Sequence, residues 1–428
     1  MDKKMKIVWS LNVIIPEAAK LMGLQSEPAV TWLDHLSHII RTYVDLTIIF
    51  PTSFVTEKTR YEGESIRFEA LPRQSKNGYE YENDLTRCYE EVINEIKPDV
   101  IHQWGTEFPN AWNMVQAVSR IGISDRVIVS IQGLIGVWGR EELFYAGLPV
   151  NVIKQHSLKD YIRKNSLKEY REKYLIRGTY ETKVLQNVKH VIGRTGFDQK
   201  ETTAINSALI YHHNNETLRE TFYEGEWSDR KCIPHRVFIS QAGMPYKGFH
   251  LALEALGELK KDYPDLQIAV TGRNLGASIS LKEKLSLSAY EQYIRKLIKK
   301  YNLSQSIEFL GKLNAEEMKE QYLQANVFLL PSSIENSPNS LGEAMLLGVP
   351  SVAADVGGVR DLMKDESEGL LYNWFDVKQL AEKLRRLYME NASVIQKRTE
   401  NAKKHALKTH NPEMNLNDLL EIYRELSV

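Results

Sequence analysis

Two carboxylates eight positions apart are the first residues that could do chemistry. Glu335 and Glu343 lie in the stretch Pro331-Ser332-Ser333-Ile334-Glu335-Asn336-Ser337-Pro338-Asn339-Ser340-Leu341-Gly342-Glu343-Ala344-Met345. Apolar runs on either side, Val327–Leu330 and Val349–Ala354, read as buried strands. The spacing predicts a polar loop and then a short helix over 340–348, closed by Gly348-Val349-Pro350. A helix N-terminus leaves about four backbone N–H groups unpaired and carries roughly half a positive charge. The 337–341 turn is therefore a candidate phosphate seat. Glu335 falls in the loop and Glu343 inside the helix, so the two should reach different parts of one ligand.

These residues need a scaffold, and the rest of the chain alternates strand-like and helix-like segments. In the first half the strands are Lys6–Leu11, Val44–Phe50, Pro98–His102, Arg126–Ile131 and Val188–Ile192. Helices are expected over Val30–Arg41, Asn83–Ile96 and Trp112–Arg120. In the second half the strands are Arg236–Ser240, Leu266–Thr271, Ile307–Leu310, Val327–Leu330 and Ser351–Ala354. Helices lie between them near 248–261, 288–301 and 314–325, and the chain closes with helices near 376–390 and 393–428. Such alternation means parallel sheets with crossover helices. The expected class is α/β: two Rossmann-like, doubly wound parallel-sheet domains facing a central cleft. The boundaries are 1–220 for an acceptor-side domain and 230–410 for a donor domain. A terminal helix, 411–428, is expected to pack back on the first domain. The polar segment near 212–234 is the hinge.

Ligands of doubly wound sheets bind at the carboxyl ends of the strands. Four second-half loops lie there: Gly243–Gly248, Gly272-Arg273-Asn274, Gly311-Lys312 and the Glu335 loop. In the first half the same reasoning singles out His102, Glu107, Gln132 and Arg194 as cleft candidates. Each also fits a plain structural role. His212-His213 reads as an exposed pair, because no Cys or carboxylate cluster completes a metal site there.

Bulk properties exclude several classes. The chain has 428 residues, 43% hydrophobic and 26% charged, with a net charge of −1. That suits a soluble protein of two or three domains and gives no general case for nucleic-acid binding. Two cysteines, Cys88 and Cys232, fit a reducing compartment rather than a disulfide framework. No apolar run approaches the roughly 18–20 residues of a spanning helix. Met1–Ile15 reads as a first strand rather than a signal peptide, since Asn12 interrupts its apolar run.

The spaced elements of the second half resemble glycosyltransferase family 4, the retaining GT-B enzymes of the glycosyl transferases group 1 type. The resemblance rests on Glu335-x7-Glu343 with Ala344-Met345 and Gly348-Val349-Pro350 behind it. Further matches are Pro245-Tyr246-Lys247-Gly248, Ile307–Leu313, Gly357-Gly358-Val359 and Glu368-Gly369-Leu370-Leu371. It is strong over about 235–375 and weaker at Val100–Glu107 and Val127–Gly133. It implies that Lys247 and Glu335 are catalytic, Lys247 on the donor diphosphate and Glu335 on the transferred sugar. Glu343 would bind ribose hydroxyls, and the backbone of Asn339, Ser340 and Leu341 the distal phosphate. Gly272, Arg273, Gly311 and Lys312 would complete the donor side. The implied reaction moves a sugar from a nucleotide-diphosphate sugar, by family frequency a UDP-sugar, to a hydroxyl of a glycan or lipid-linked acceptor. No cofactor and no metal are implied; the nucleotide sugar is a substrate. The alternative is a non-catalytic partner subunit with the same fold. Localisation is expected to be cytoplasmic, with peripheral contact at the inner membrane face as an option.

The chain also departs from the family pattern. Gln241 and Ala242 stand where a phosphate-binding arginine is usual, and Arg273 is a candidate substitute. Gln132-Gly133 replaces a frequent histidine. The loop Pro16–Pro28 holds only Gly23 instead of a glycine-rich turn. These departures resemble a bacterial surface-polysaccharide subgroup. One segment stands out by charge: 154–189 carries ten basic against four acidic residues, a balance of about +6, with Tyr161, Tyr170, Tyr174 and Tyr180 interleaved. It is either a solvated helical face or a contact for an anionic membrane surface.

Overall fold

Apolar β-branched runs hidden on both faces make parallel strands, and the chain has two sets of them. A computed structural model describes residues 4–25, 31–276 and 279–427. The start of Met1–Ile15, the end of the Pro16–Pro28 loop and Val30 at the head of its expected helix lie outside the described residues. The chain divides into two units. The first holds Met1–Val137, Lys173–Arg219 and Asn411–Val428; the second holds Trp138–Glu172 and Glu220–His410. Trp138–Glu172, inside the expected 1–220 domain, thus belongs to the second unit.

The first unit contains β1 (Lys6–Ser10), β2 (Asp45–Thr52), β3 (Thr59–Glu62), β4 (Ile66–Pro72), β5 (Val100–Trp104), β6 (Val127–Ser130), β7 (His190–Gly193) and β8 (Ile210–His213). Their order is β3-β4-β2-β1-β5-β6-β7-β8, parallel throughout except for the β3–β4 pair. The sequence reading missed β3, β4 and β8. β3 alternates exposed and half-covered residues, and β8 is a half-covered edge whose His212 bonds His190 at 3.0 Å. Edge strands lack the apolar run on which strand recognition depends.

One face of this sheet is covered by the last helix, Pro412–Leu426. Leu416, Leu419, Leu420 and Tyr423 are buried with Trp9, Ile48 and Phe50 of β1 and β2. Each such side chain contributes about 1.5–3 kcal/mol when fully buried. The Trp9 indole N–H donates to the Tyr423 hydroxyl at 2.9 Å. The single terminal helix expected over 393–428 is two helices, Ala392–Thr409 and Pro412–Leu426. Pro412 cannot continue a preceding helix but suits the first turn of a new one, and the Asn411 side chain accepts from the Met414 N–H as its cap.

The second unit contains β9 (Arg236–Ile239), β10 (Gln267–Val270), β11 (Ile307–Phe309), β12 (Val327–Leu330), β13 (Ser351–Ala354) and β14 (Leu370–Tyr372). Their order is β11-β10-β9-β12-β13-β14, all parallel. Only β14 was missing from the sequence reading. The order reverses at β9, which has β10 on one side and β12 on the other. This reversal is the topological switch point of the sheet, flanked by the loops that leave β9 and β12.

Candidate active site

The loops that leave β9 and β12 are the ones that carry Lys247 and Glu335. After β9 the chain makes a single 3-10 turn, Pro245–Lys247, and stops at Gly248. Gly248 has φ +68°, and a Cβ there would meet the Pro331 carbonyl oxygen at 1.8 Å. Glycine is therefore required for the two loops to touch. The result is an ion pair: Lys247 Nζ lies 2.6 Å from Glu335 Oε1, with both side chains mostly covered. Ser332 Oγ donates to the same Oε1 at 2.6 Å. From behind, the Gly358 N–H donates to the Glu335 carbonyl at 3.1 Å, and Gly357 passes so close that any Cβ would strike that oxygen.

An aromatic wall completes the pair's surroundings. The Lys247 ammonium lies 5.9 Å from the Trp138 ring centre and 5.7 Å from that of Tyr246. Both rings present negative π faces to a cation. The Trp138 indole N–H donates to Asn336 Oδ1 at 2.9 Å, which ties the tryptophan to the residue next to Glu335. Ser333 Oγ donates to the Leu143 carbonyl at 2.6 Å, and the His250 ring nitrogen Nε2 lies 2.8 Å from the Ala146 carbonyl. The 138–172 segment is thus bound into the second unit along the Glu335 loop. Burial pushes the His250 imidazole down to about 4, so it stays neutral at physiological pH.

The helix expected after the loop spans Asn339–Leu346, with Pro338 at its N-cap. The N–H groups of Leu341 and Gly342 both donate to the Pro338 carbonyl, at 3.0 and 3.3 Å. The Leu341 N–H is therefore engaged inside the turn, and Asn339 and Ser340 stand at the first positions of the helix. Glu343 is buried, and the Tyr322 hydroxyl lies 3.3 Å from its Oε2 and 2.9 Å from the Ser340 carbonyl. Gly272 and Gly311 pair across adjacent loops through a 2.8 Å N–H···O bond, and Lys312 beside them is exposed. Arg273 is directed elsewhere. It donates to the Ser286 and Glu283 carbonyls at 2.9 and 3.3 Å and lies 3.4 Å from Glu291. It serves helix ends rather than standing beside Lys247.

The first-unit candidates are gathered less openly. His102 has no exposed surface; its ring nitrogens lie 2.6 Å from the Tyr423 hydroxyl and 2.6 Å from Ser130 Oγ. Burial lowers its pKa to about 3. The expectation of a cleft histidine gives way to a neutral packing group stacked on Trp104 at 4.0 Å. Arg194, another cleft candidate, is buried in an ion pair with Glu216 at 2.6 Å and also donates to the Gln132 carbonyl at 3.3 Å. Gln132 and Arg194 line a small cavity with Trp104, Ser130, Asn214 and Glu216. Glu107, in the loop after β5, is pushed up to about 7 by burial, and its Oε2 has no hydrogen-bond partner.

Sequence reasoning missed Glu181, Trp138, Asn336 and Ser332. Glu181 accepts from the Ile135 and Gly136 N–H groups and from Thr106 Oγ1, and burial raises it to about 7. It touches Thr106, beside Glu107, across a 75-residue separation that no local pattern reveals. The same holds for Trp138 and Asn336, 198 positions apart. Ser332 did carry a signal, because Ser-x-x-Glu is the spacing at which a hydroxyl and a carboxylate meet in a turn.

Lys247, Glu335 and the start of the Asn339–Leu346 helix thus lie together at the switch point of one sheet, an ion pair next to a helix N-terminus. Residues 234–406 match the family model described as Glycosyl transferases group 1. The protein WcaL of Escherichia coli K12, provisionally named a colanic acid biosynthesis glycosyltransferase, is 32% identical over 144 residues, 32% of each chain. A D-inositol 3-phosphate glycosyltransferase of Corynebacterium urealyticum is 29% identical over 182 residues, 42% of this chain and 40% of the relative. These alignments take in well under half of the relatives' own length. Among solved structures, sucrose-phosphate synthase of Thermosynechococcus elongatus superposes with a TM-score of 0.69 at 15% identity over 99% of both chains. HepE of Anabaena, in complex with UDP and glucose, gives 0.65 at 14% identity, covering 98% of this chain and 99% of its own. The fold is GT-B.

Proposed function

We propose that this protein is a retaining glycosyltransferase, moving a hexose from a UDP-sugar to a hydroxyl of a glycan or lipid-linked acceptor in polysaccharide or glycoconjugate synthesis. The observation that carries the reading is the 2.6 Å Lys247–Glu335 pair at the switch point, in the loop that leads into the Asn339–Leu346 helix. In transfer the bond between the sugar's anomeric carbon and the diphosphate breaks, and a bond to the acceptor oxygen forms. The acceptor proton leaves with the departing phosphate. Negative charge grows on the diphosphate as it leaves, and a fixed ammonium with a helix N-terminus stabilises it. Lys247 would exchange part of its contact with Glu335 for the phosphate, which frees the carboxylate to accept from sugar hydroxyls. Glu343 would take the ribose hydroxyls.

Support for UDP comes from the Anabaena neighbour, described in complex with UDP and, in another crystal, with UDP-glucose. Support for a glycan or glycolipid product comes from the names of the relatives. A cytoplasmic location follows from the donor, since nucleotide sugars are cytoplasmic metabolites. The reading requires no metal, so EDTA should leave turnover unchanged. The deciding experiment is a panel of UDP-, GDP- and ADP-sugars with the purified chain, read by thermal shift and nucleoside-diphosphate release. A UDP-sugar at a hundredfold excess over its Kd should stabilise the chain by about 2.7 kcal/mol. A panel without any shift and without nucleotide release would overturn the proposal.

A further inference from the structure

The charged run 154–189 does not form one face. Of its tyrosines, Tyr174 is buried, Tyr180 stacks on Tyr81 at 5.2 Å and Tyr170 packs near Phe144. Arg177 sits among the rings of Tyr79, Phe108 and Tyr174, and Arg171 donates to the Gly139 carbonyl. These residues are engaged in packing. The most exposed apolar side chains of the run lie at one end, on the helix Leu158–Arg163.

That helix is fixed from beneath. Asp160 is buried, closes a capping box with Ser157 and accepts from the Ala289 N–H at 2.9 Å. Lys159 pairs with Glu291 at 3.1 Å. With the polar side turned inward, the apolar side turns out. Leu158, Tyr161 and Ile162, at positions i, i+3 and i+4, are 57, 78 and 71% exposed. Val150, at the start of the preceding turn, is exposed as well. A helix in water ordinarily shows the reverse arrangement. Around the stripe stand exposed Lys154, Arg163, Lys164 and Lys168, and between 150 and 168 the sole acid is the buried Asp160.

We propose that this face, Leu158, Tyr161 and Ile162 within a ring of basic residues, rests on an anionic lipid surface. Charge complementarity selects that occupant. A contiguous apolar stripe with a tyrosine buries into the headgroup boundary, and cations around it pair with lipid phosphates. The helix has no need to fold on binding, because Asp160 and Lys159 already hold it in place. The inference does not depend on which sugar donor the protein uses.

The test is co-sedimentation of the full chain with phosphatidylcholine vesicles, with and without phosphatidylglycerol, at low and high salt. Anionic vesicles should bind at least about tenfold more protein than neutral ones, with about fivefold lost per cation neutralised. The triple variant Leu158→Ser, Tyr161→Ser, Ile162→Ser should lose vesicle binding, and Lys154→Glu, Arg163→Glu, Lys168→Glu should lose its salt-sensitive part. Both variants should keep the wild-type melting temperature, which shows that the fold is intact. Absence of wild-type binding to anionic vesicles at low salt overturns the proposal, as does binding unchanged in the triple variant. A wild-type dimer in light scattering that the triple variant abolishes would assign the stripe to a second copy and also overturn it.

Discussion

The two sheets treat the acids at their switch points differently. In the second unit Glu335 meets a lysine directly, at 2.6 Å, in a pocket walled by Trp138 and Tyr246. In the first unit the loop after β5 carries Glu107, and Glu181 lies one residue's contact away through Thr106; burial raises both carboxyls to about 7. The topology is equivalent: β1 lies between β2 and β5 as β9 lies between β10 and β12. The electrostatics are opposed. A paired carboxylate and ammonium can be exchanged for an anionic ligand at little cost, because charge replaces charge. At Glu107 burial outweighs the attraction of Arg177 and Arg194, and the carboxyl holds its proton instead. On the proposed function one edge would receive a diphosphate, while the other holds its own loops.

Removing the charges of the second edge should have the largest effect. Glu335→Gln keeps the shape and the Ser332 contact but removes the charge that faces Lys247. Turnover of the best UDP-sugar should fall by roughly a hundred- to a thousandfold, as when one preorganised polar group is lost from an active site. Lys247→Ala should do the same. It also leaves a buried carboxylate, so the melting temperature should fall with it. Turnover near wild type in both variants, measured by nucleoside-diphosphate release, would erase the contrast between the edges.

The next effect belongs to the first edge and is one of stability. The Glu107 carboxyl is raised from 4.5 to about 7 in the folded chain. Between those values the folded state holds a proton that the unfolded state has released, so stability falls as pH rises through this window. Above it the loss is complete, with a ceiling of about 3 kcal/mol for this one group. Glu107→Gln should flatten the profile, with little change at pH 5 and a gain at pH 8, read by urea unfolding. Glu181 contributes in the same direction, so part of the slope should survive. A slope unchanged by Glu107→Gln would mean that this carboxyl is ionised in the folded protein.

The contrast explains what the sequence could disclose. The second edge was legible because its partners are local. Pro331 to Met345 holds the loop, the serine, both glutamates and the helix start within one stretch, and Lys247-Gly248 adds a turn that glycine marks. The buried strands β9, β10, β12 and β13 announced themselves as apolar runs. The first edge is assembled from Thr106, Glu107, the Ile135–Gly136 turn, Glu181 and Arg194, drawn from four separate segments, and each residue alone has a dull reading. His102 stayed open between a cleft and a packing role for the same reason: a strand-end histidine says nothing of the terminal tyrosine that encloses it. Trp138 escaped because the segment that carries it belongs to the second unit, a membership that no feature of 138–172 betrays.

Trp138 offers a smaller test. Trp138→Phe keeps a ring over Lys247 and loses the bond to Asn336, whereas Trp138→Leu loses both. A hydrogen bond and a cation–π contact are each worth about 1 kcal/mol in such settings. Donor KM should therefore rise about fivefold for phenylalanine and more than tenfold for leucine, with kcat changing less. Equal effects from the two substitutions would show that the link to the Glu335 loop, and not the ring over Lys247, is what matters.

The smallest effect is expected at Arg273, and it decides how far the second edge extends. This arginine was the candidate to replace the charge absent at Gln241 and Ala242. Its guanidinium instead donates to the carbonyls of Glu283 and Ser286, the groups a helix C-terminus leaves open, and lies near Glu291. The side chain is 36% exposed, so its ion pair with Glu291 is screened and contributes less than about 1 kcal/mol. Arg273→Ala should lower stability by no more than that and leave UDP affinity within about twofold of wild type by calorimetry. A tenfold loss of affinity would mean that the arginine leaves these carbonyls for a phosphate when the donor binds. The anion seat would then be built from two cations instead of one, and the helix end it now serves would have to be held by another group.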